Sequence, residues 1–131
     1  MIFSSDRPGG FGGLDLYLSK LMADGEWGPP MNMGPEINTP FNDDRPFLIN
    51  NGTILFFASQ GHYSMGGYDI FRSDLQSNGL WNKPKNLGYP VNSPDDNIFF
   101  CPSDNGKGGY IAMAHRDNGA GKLDIYRIRF K

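Results

Sequence analysis

Shifted against itself by 54 residues without a gap, the chain is identical at 16 of its first 52 positions. Phe3 falls on Phe57, Ser5 on Ser59, Gly12-Gly13 on Gly66-Gly67 and Asp15 on Asp69. Trp27 likewise falls on Trp81, Pro30 on Pro84, Gly34 on Gly88, Asn38 on Asn92 and Pro40 on Pro94. A partial third copy follows at a shift of 55, where Asp69-Ile70-Phe71 becomes Asp124-Ile125-Tyr126. Self-similarity at a fixed period marks a tandem array, in which each unit buries its apolar surface against its neighbours.

Within a period, short runs rich in β-branched and aromatic residues alternate with clusters of Gly, Asn, Asp, Ser and Pro, the punctuation of strands and turns. In the complete copy, residues 45–49 (RPFLI) read as strand A. Asn50-Asn51-Gly52 is a tight hairpin turn, because Asn and Gly tolerate positive φ. That turn also accounts for the formal glycosylation sequon Asn51-Gly52-Thr53 without a glycan. Residues 54–59 (ILFFAS) then form strand B, 68–73 (YDIFRS) strand C and 80–87 (LWNKPKNL) strand D. Pro84 donates no ladder hydrogen bond, which places strand D at a sheet edge.

No apolar rhythm of 3.6 residues survives the Gly and Pro spacing, which argues against a helical solenoid. The expected fold is all-β: a partial β-propeller built from four-stranded antiparallel blades with a period of about 54 residues. The length gives 131/54, or about 2.4 periods. The expected division is strands B-C-D over residues 1–40, A-B-C-D over 41–94 and A-B-C over 95–131. Ten strands are too few for a ring of at least about four blades. The chain is therefore expected to be a fragment that needs its missing blades or a second copy of itself.

The ordered string GG-x-D-[IL]-[FY], then W, P-x-N-x-G and N-[TS]-P, runs through FSSDRPGGFGGLDLYLSK, EWGPPMNMGPEINTP, FFASQGHYSMGGYDIFRSD and LWNKPKNLGYPVNSPDD. It resembles the WD-repeat-like propeller repeats related to the TolB propeller, in the form found in envelope proteins of Bacteroidetes. The resemblance covers essentially the whole chain. Those proteins often carry tetratricopeptide repeats before the propeller and an OmpA-like domain after it, and neither is present here. The resemblance implies a periplasmic or outer-membrane-associated location and a non-enzymatic scaffold or protein-interaction role. The chain shows no secretory signal, and no apolar run approaches the roughly 18 to 20 residues of a spanning helix.

Composition narrows the function classes further. Aromatic residues make up 14% of the chain, too many for a disordered Gly/Pro-rich segment. The net charge of −2 comes without a basic stripe, so nucleic acid is not an expected partner. A lone Cys101 and two unaligned histidines, His62 and His115, offer no zinc ligand set. The acidic connections present oxygen ligands of the kind Ca²⁺ takes. Their spacing does not match D-x-[DN]-x-[DN]-G, and Asx turns explain the same residues, so no cofactor is expected.

Asp15, Asp69 and Asp124 recur at the start of strand C. Catalysis needs a few groups with different pKa values, whereas one group repeated at a constant phase suits turn capping. Trp27 and Trp81 recur as well, and are expected to pack between adjacent blades. Antiparallel strands send the B–C loops and D–A connections to the same side of the array. Varied loops on a rigid scaffold are the usual place for binding specificity. The expected partner face therefore comprises Arg7, Phe11, His62, Tyr63, His115 and Arg116, and its partner is a protein or an envelope glycan. A carbohydrate-active propeller is the alternative reading.

Overall fold

The fold, a computed structural model, is described for residues 1–113 and 123–130. Its described residues form ten strands and no helix. The first sheet contains β1 (Ile2–Ser5), β2 (Asp15–Leu18) and β3 (Met31–Asn32). The second contains β4 (Asp43–Ile49), β5 (Ile54–Ser59), β6 (Asp69–Asp74) and β7 (Lys85–Asn86). The third contains β8 (Phe100–Pro102), β9 (Gly108–Met113) and β10 (Asp124–Arg129). Every pairing is antiparallel between sequence neighbours, and none of the three sheets closes on itself.

Local chemistry sets the breaks between strands. The β4–β5 hairpin turns through Asn50, Asn51 and Gly52 at φ 52°, 54° and 80°, the left-handed region that Asn and Gly enter most easily. In β4 the register shifts between Asp44 and Phe47 around Arg45 at φ 53° and Pro46, so a β-bulge absorbs a residue that cannot donate. Pro102 lies in β8, an edge strand. The expected strand D is shorter than 80–87: only Lys85 and Asn86 pair with β6, while Trp81 makes an isolated bridge to Leu75.

The alternation of β5 explains how the sheets stack. Leu55 and Phe57 point to one face, Phe56 and Ala58 to the other, and all four are buried. On the first face Leu55, Phe57 and Phe71 pack with Leu16 and Ile37 of the preceding unit. On the second, Phe56, Ala58 and Ile70 pack with Val91, Phe100 and Ile111. The middle sheet is thus enclosed on both sides, and each such large side chain contributes about 1.5–3 kcal/mol through burial.

Candidate functional site

Asp15 and Asp69 begin two structurally matched bonding relays. Asp15 Oδ2 accepts from the Phe11 N–H (2.6 Å) and from Asn32 Nδ2 (2.8 Å), and its Oδ1 accepts from the Gly12 N–H (3.0 Å). Asn32 Oδ1 in turn accepts from Gly34 N–H and Asn38 Nδ2. Asn38 Oδ1 takes the Leu16 N–H, and its amide donates to the Leu16 carbonyl. One period later Asp69 accepts from Met65 N–H and Asn86 Nδ2, and Asn86 accepts from Gly88 N–H and Asn92 Nδ2. Asn92 then pairs with both backbone groups of Ile70. The second relay differs at two points: Asn86 Nδ2 also donates to the Tyr63 carbonyl at 3.1 Å, and Asp69 Oδ1 is buried without a hydrogen-bond partner among the described residues. Asp124, at the start of β10, is half-buried opposite Met113.

The connections between sheets are tied down as systematically. Asn42 Oδ1 accepts from the Leu14 N–H and Asp96 Oδ1 from the Tyr68 N–H, each at 2.9 Å. The loop glycines are needed for this approach. A Cβ on Gly12 would lie 1.9 Å from the Phe41 carbonyl oxygen, and one on Gly66 would lie 2.2 Å from that of Pro94. Asp43 is fully buried and accepts from Thr39 N–H, Thr39 Oγ1 and Ser59 Oγ. Burial pushes its pKa above the ordinary carboxylate value, against the opposing pull of those hydrogen bonds and of His62. Its repeat mate Asn97 makes the same turn, accepting from Ser93 N–H and Oγ. Partial burial also raises the Tyr68 phenol. The hydrogen bond from Asn42 opposes that shift, while the carboxylates of Asp44, Asp96 and Asp43 add to it. Among the described residues no three His, Cys, Asp or Glu side chains are grouped to hold a metal ion.

The four described residues expected on the loop face fall into two groups. Phe11 and Tyr63 are exposed there, Tyr63 at 84%, with Lys83 Nζ 5.7 Å from the Tyr63 ring centroid. Phe41 and Met65 are exposed on the same side and were not singled out from sequence. Met65 is the repeat mate of Phe11, which is the signal that could have found it. His62 belongs elsewhere. Its ring lies 5.9 Å from Phe57 and 5.2 Å from Phe71, and its Nε2 sits 3.0 Å from the Ile37 carbonyl oxygen. It is a half-buried contact between the first two sheets. Arg7 occupies the comparable position on the first sheet, its guanidinium 5.2 Å from the Phe3 ring and 4.6 Å from Tyr17. His115 and Arg116 lie outside the described residues.

The two tryptophans part company as well. Trp81 packs against the cluster between the first two sheets, whereas Trp27 is 50% exposed. No protein-family model matches this sequence, and no curated protein or solved structure matches it.

Proposed function

We propose that this chain is a run of β-propeller blades serving as a non-enzymatic protein-interaction module of a cell-envelope protein. Its partner binds the edge that carries Phe11, Phe41, Tyr63 and Met65. The observation that carries this reading is the separation of duties among the side chains. The recurring carboxylates Asp15 and Asp69 are engaged in loop closure, while large apolar groups stand exposed on loops that the relays hold rigid. Exposed aromatic residues on a fixed scaffold supply contact area at low conformational cost. The envelope setting rests on the resemblance of the repeat.

Immobilised chain challenged in parallel with envelope proteins and with purified peptidoglycan fragments tests the proposal. A double Phe11→Ala, Tyr63→Ala variant should lose protein capture while its unfolding midpoint stays unchanged. Equal capture by the variant would refute the face. Saturable glycan binding that disappears in the variant would instead support the carbohydrate reading, which the exposed aromatic rings also favour.

A further inference from the structure

The internal repeat shows what covers each face of a sheet, and it exposes one such face at each end of the stack. Tyr110 and Ala112 of β9 are the repeat mates of Phe56 and Ala58, and Ile125 of β10 is the mate of Ile70. Phe56, Ala58 and Ile70 are buried because the third sheet lies on them. Tyr110 and Ile125 are 49% and 79% exposed. With Phe47, Phe99 and Cys101 they line a shallow apolar groove of about 300 Å³. At the opposite end, Phe3 and Tyr17 are the mates of Phe57 and Phe71, whose outward side is covered by the first sheet. Met1, Phe3 and the Arg7 guanidinium form the surface there, with Tyr17 roofed by Arg7 much as Phe71 is by His62.

We propose that these two faces are complementary, and that the third sheet of one copy receives the first sheet of a second copy, head to tail. The contact continues the one made twice inside the chain, where the B and C strands of one sheet lie on those of the next. The strands that would meet are β9 and β10 on one side and β1 and β2 on the other. A head-to-tail contact either closes a ring or propagates. Closure by two copies brings together six sheets, three from each, within the range of about four to eight blades that propeller rings contain. The surface is separate from the loop edge proposed above, so the two readings fail independently.

Light scattering on the eluting 131-residue chain tests this, using variants at each face. The wild type should be a dimer. Ile125→Asp, at a highly exposed position, should be monomeric with unchanged circular dichroism. Phe3→Glu should behave likewise, and Arg7→Glu serves the same purpose if Phe3→Glu unfolds. An equimolar mixture of Ile125→Asp with the first-sheet variant should re-form dimers, because one intact pair of faces remains. Tyr63→Ala should leave the dimer intact. A wild type that stays monomeric up to its solubility limit overturns the proposal. So does a first-sheet variant that still dimerises, which would mean that the third sheets pair with each other, or a mixture that remains monomeric.

Discussion

Replacing Asn92 by alanine should destabilise the fold by about 2–6 kcal/mol, and the estimate follows from what each lost bond leaves behind. Asn92 is fully buried; its Oδ1 accepts the Ile70 N–H at 2.8 Å, and its Nδ2 donates to the Ile70 carbonyl at 2.9 Å and to Asn86 Oδ1 at 2.7 Å. Alanine leaves the Ile70 N–H with no acceptor in a buried strand, at a cost of about 1–3 kcal/mol. The other two groups keep one partner each. Ile70 O still accepts from the Leu87 N–H, and Asn86 Oδ1 still accepts from the Gly88 N–H. Losing the second bond at each costs about 0.5–1.5 kcal/mol, less where geometry relaxes. The side chain stands in for a strand partner that the two-residue β7 is too short to supply.

Urea unfolding of wild type and Asn92→Ala, with equal slopes in denaturant, measures this directly. A difference below about 0.5 kcal/mol would refute the reasoning, since that is the range of an uninvolved surface substitution. Asn92→Asp adds a check on the mechanism. It keeps the acceptor for the Ile70 N–H but turns the donor into an oxygen facing two acceptors. Ionisation in the folded state is then disfavoured, and the folded pKa lies above the unfolded value of about 3.9. The variant should approach wild type below that unfolded value and lose stability as pH rises through the folded pKa. A deficit independent of pH would be inconsistent with the carboxyl sitting where the amide sat.

Gly66→Ala should cost at least about 1–3 kcal/mol by overpacking, since its Cβ would meet the Pro94 carbonyl, and thermal unfolding reads the loss. Asp15→Asn should destabilise more than Asp69→Asn. The new amide opposes the Gly12 N–H at residue 15, but replaces an oxygen without a hydrogen-bond partner at 69. Paired denaturation curves would show equal losses if the two relays were interchangeable. Asp43 has a raised folded pKa, so its contribution to stability is fully present below about pH 3.9 and falls as pH rises through the folded value. Asp43→Asn should remove that decline, and the stability of wild type relative to the variant should fall between acid and neutral pH.

Strands bounded by turn chemistry were legible in the sequence. Residues 54–59 are an apolar run between Asn50-Asn51-Gly52 and a Gly-rich loop, and β5 has those limits. The eighth-to-tenth strands followed from the repeat alone, since Gly108–Met113 carries little β-propensity in its first two residues. Strand D was not legible. LWNKPKNL has the composition of a strand, yet the Ile70 N–H of β6 bonds instead to the side chain of Asn92, 22 residues away, as the Leu16 N–H of β2 bonds to Asn38 one unit earlier. No local pattern reveals an amide acting as a surrogate strand. The identity of Asn32 with Asn86 and of Asn38 with Asn92 under the 54-residue shift was the available signal, because four asparagines at constant phase are more than turns require.

His62 and Arg7 show where repeat identity stops informing. Both cap an aromatic pair at the same place on successive sheets, Phe57 with Phe71 and Phe3 with Tyr17, but they are different residues and sit one position out of phase under the shift. The relays are conserved between units because each bond needs one donor and one acceptor at fixed separation. A flat cationic or imidazole group over a ring needs only a face to rest on, which several side chains provide. His62 can also bond to Ile37 because the preceding unit brings that carbonyl within 3.0 Å. The loop face inherits the same freedom. Phe11 and Met65 share a position but not a chemistry, with a ring at one site and a thioether at the next. Neither side chain is fixed by the relays beneath it, which bond only through the backbone N–H groups of those two residues.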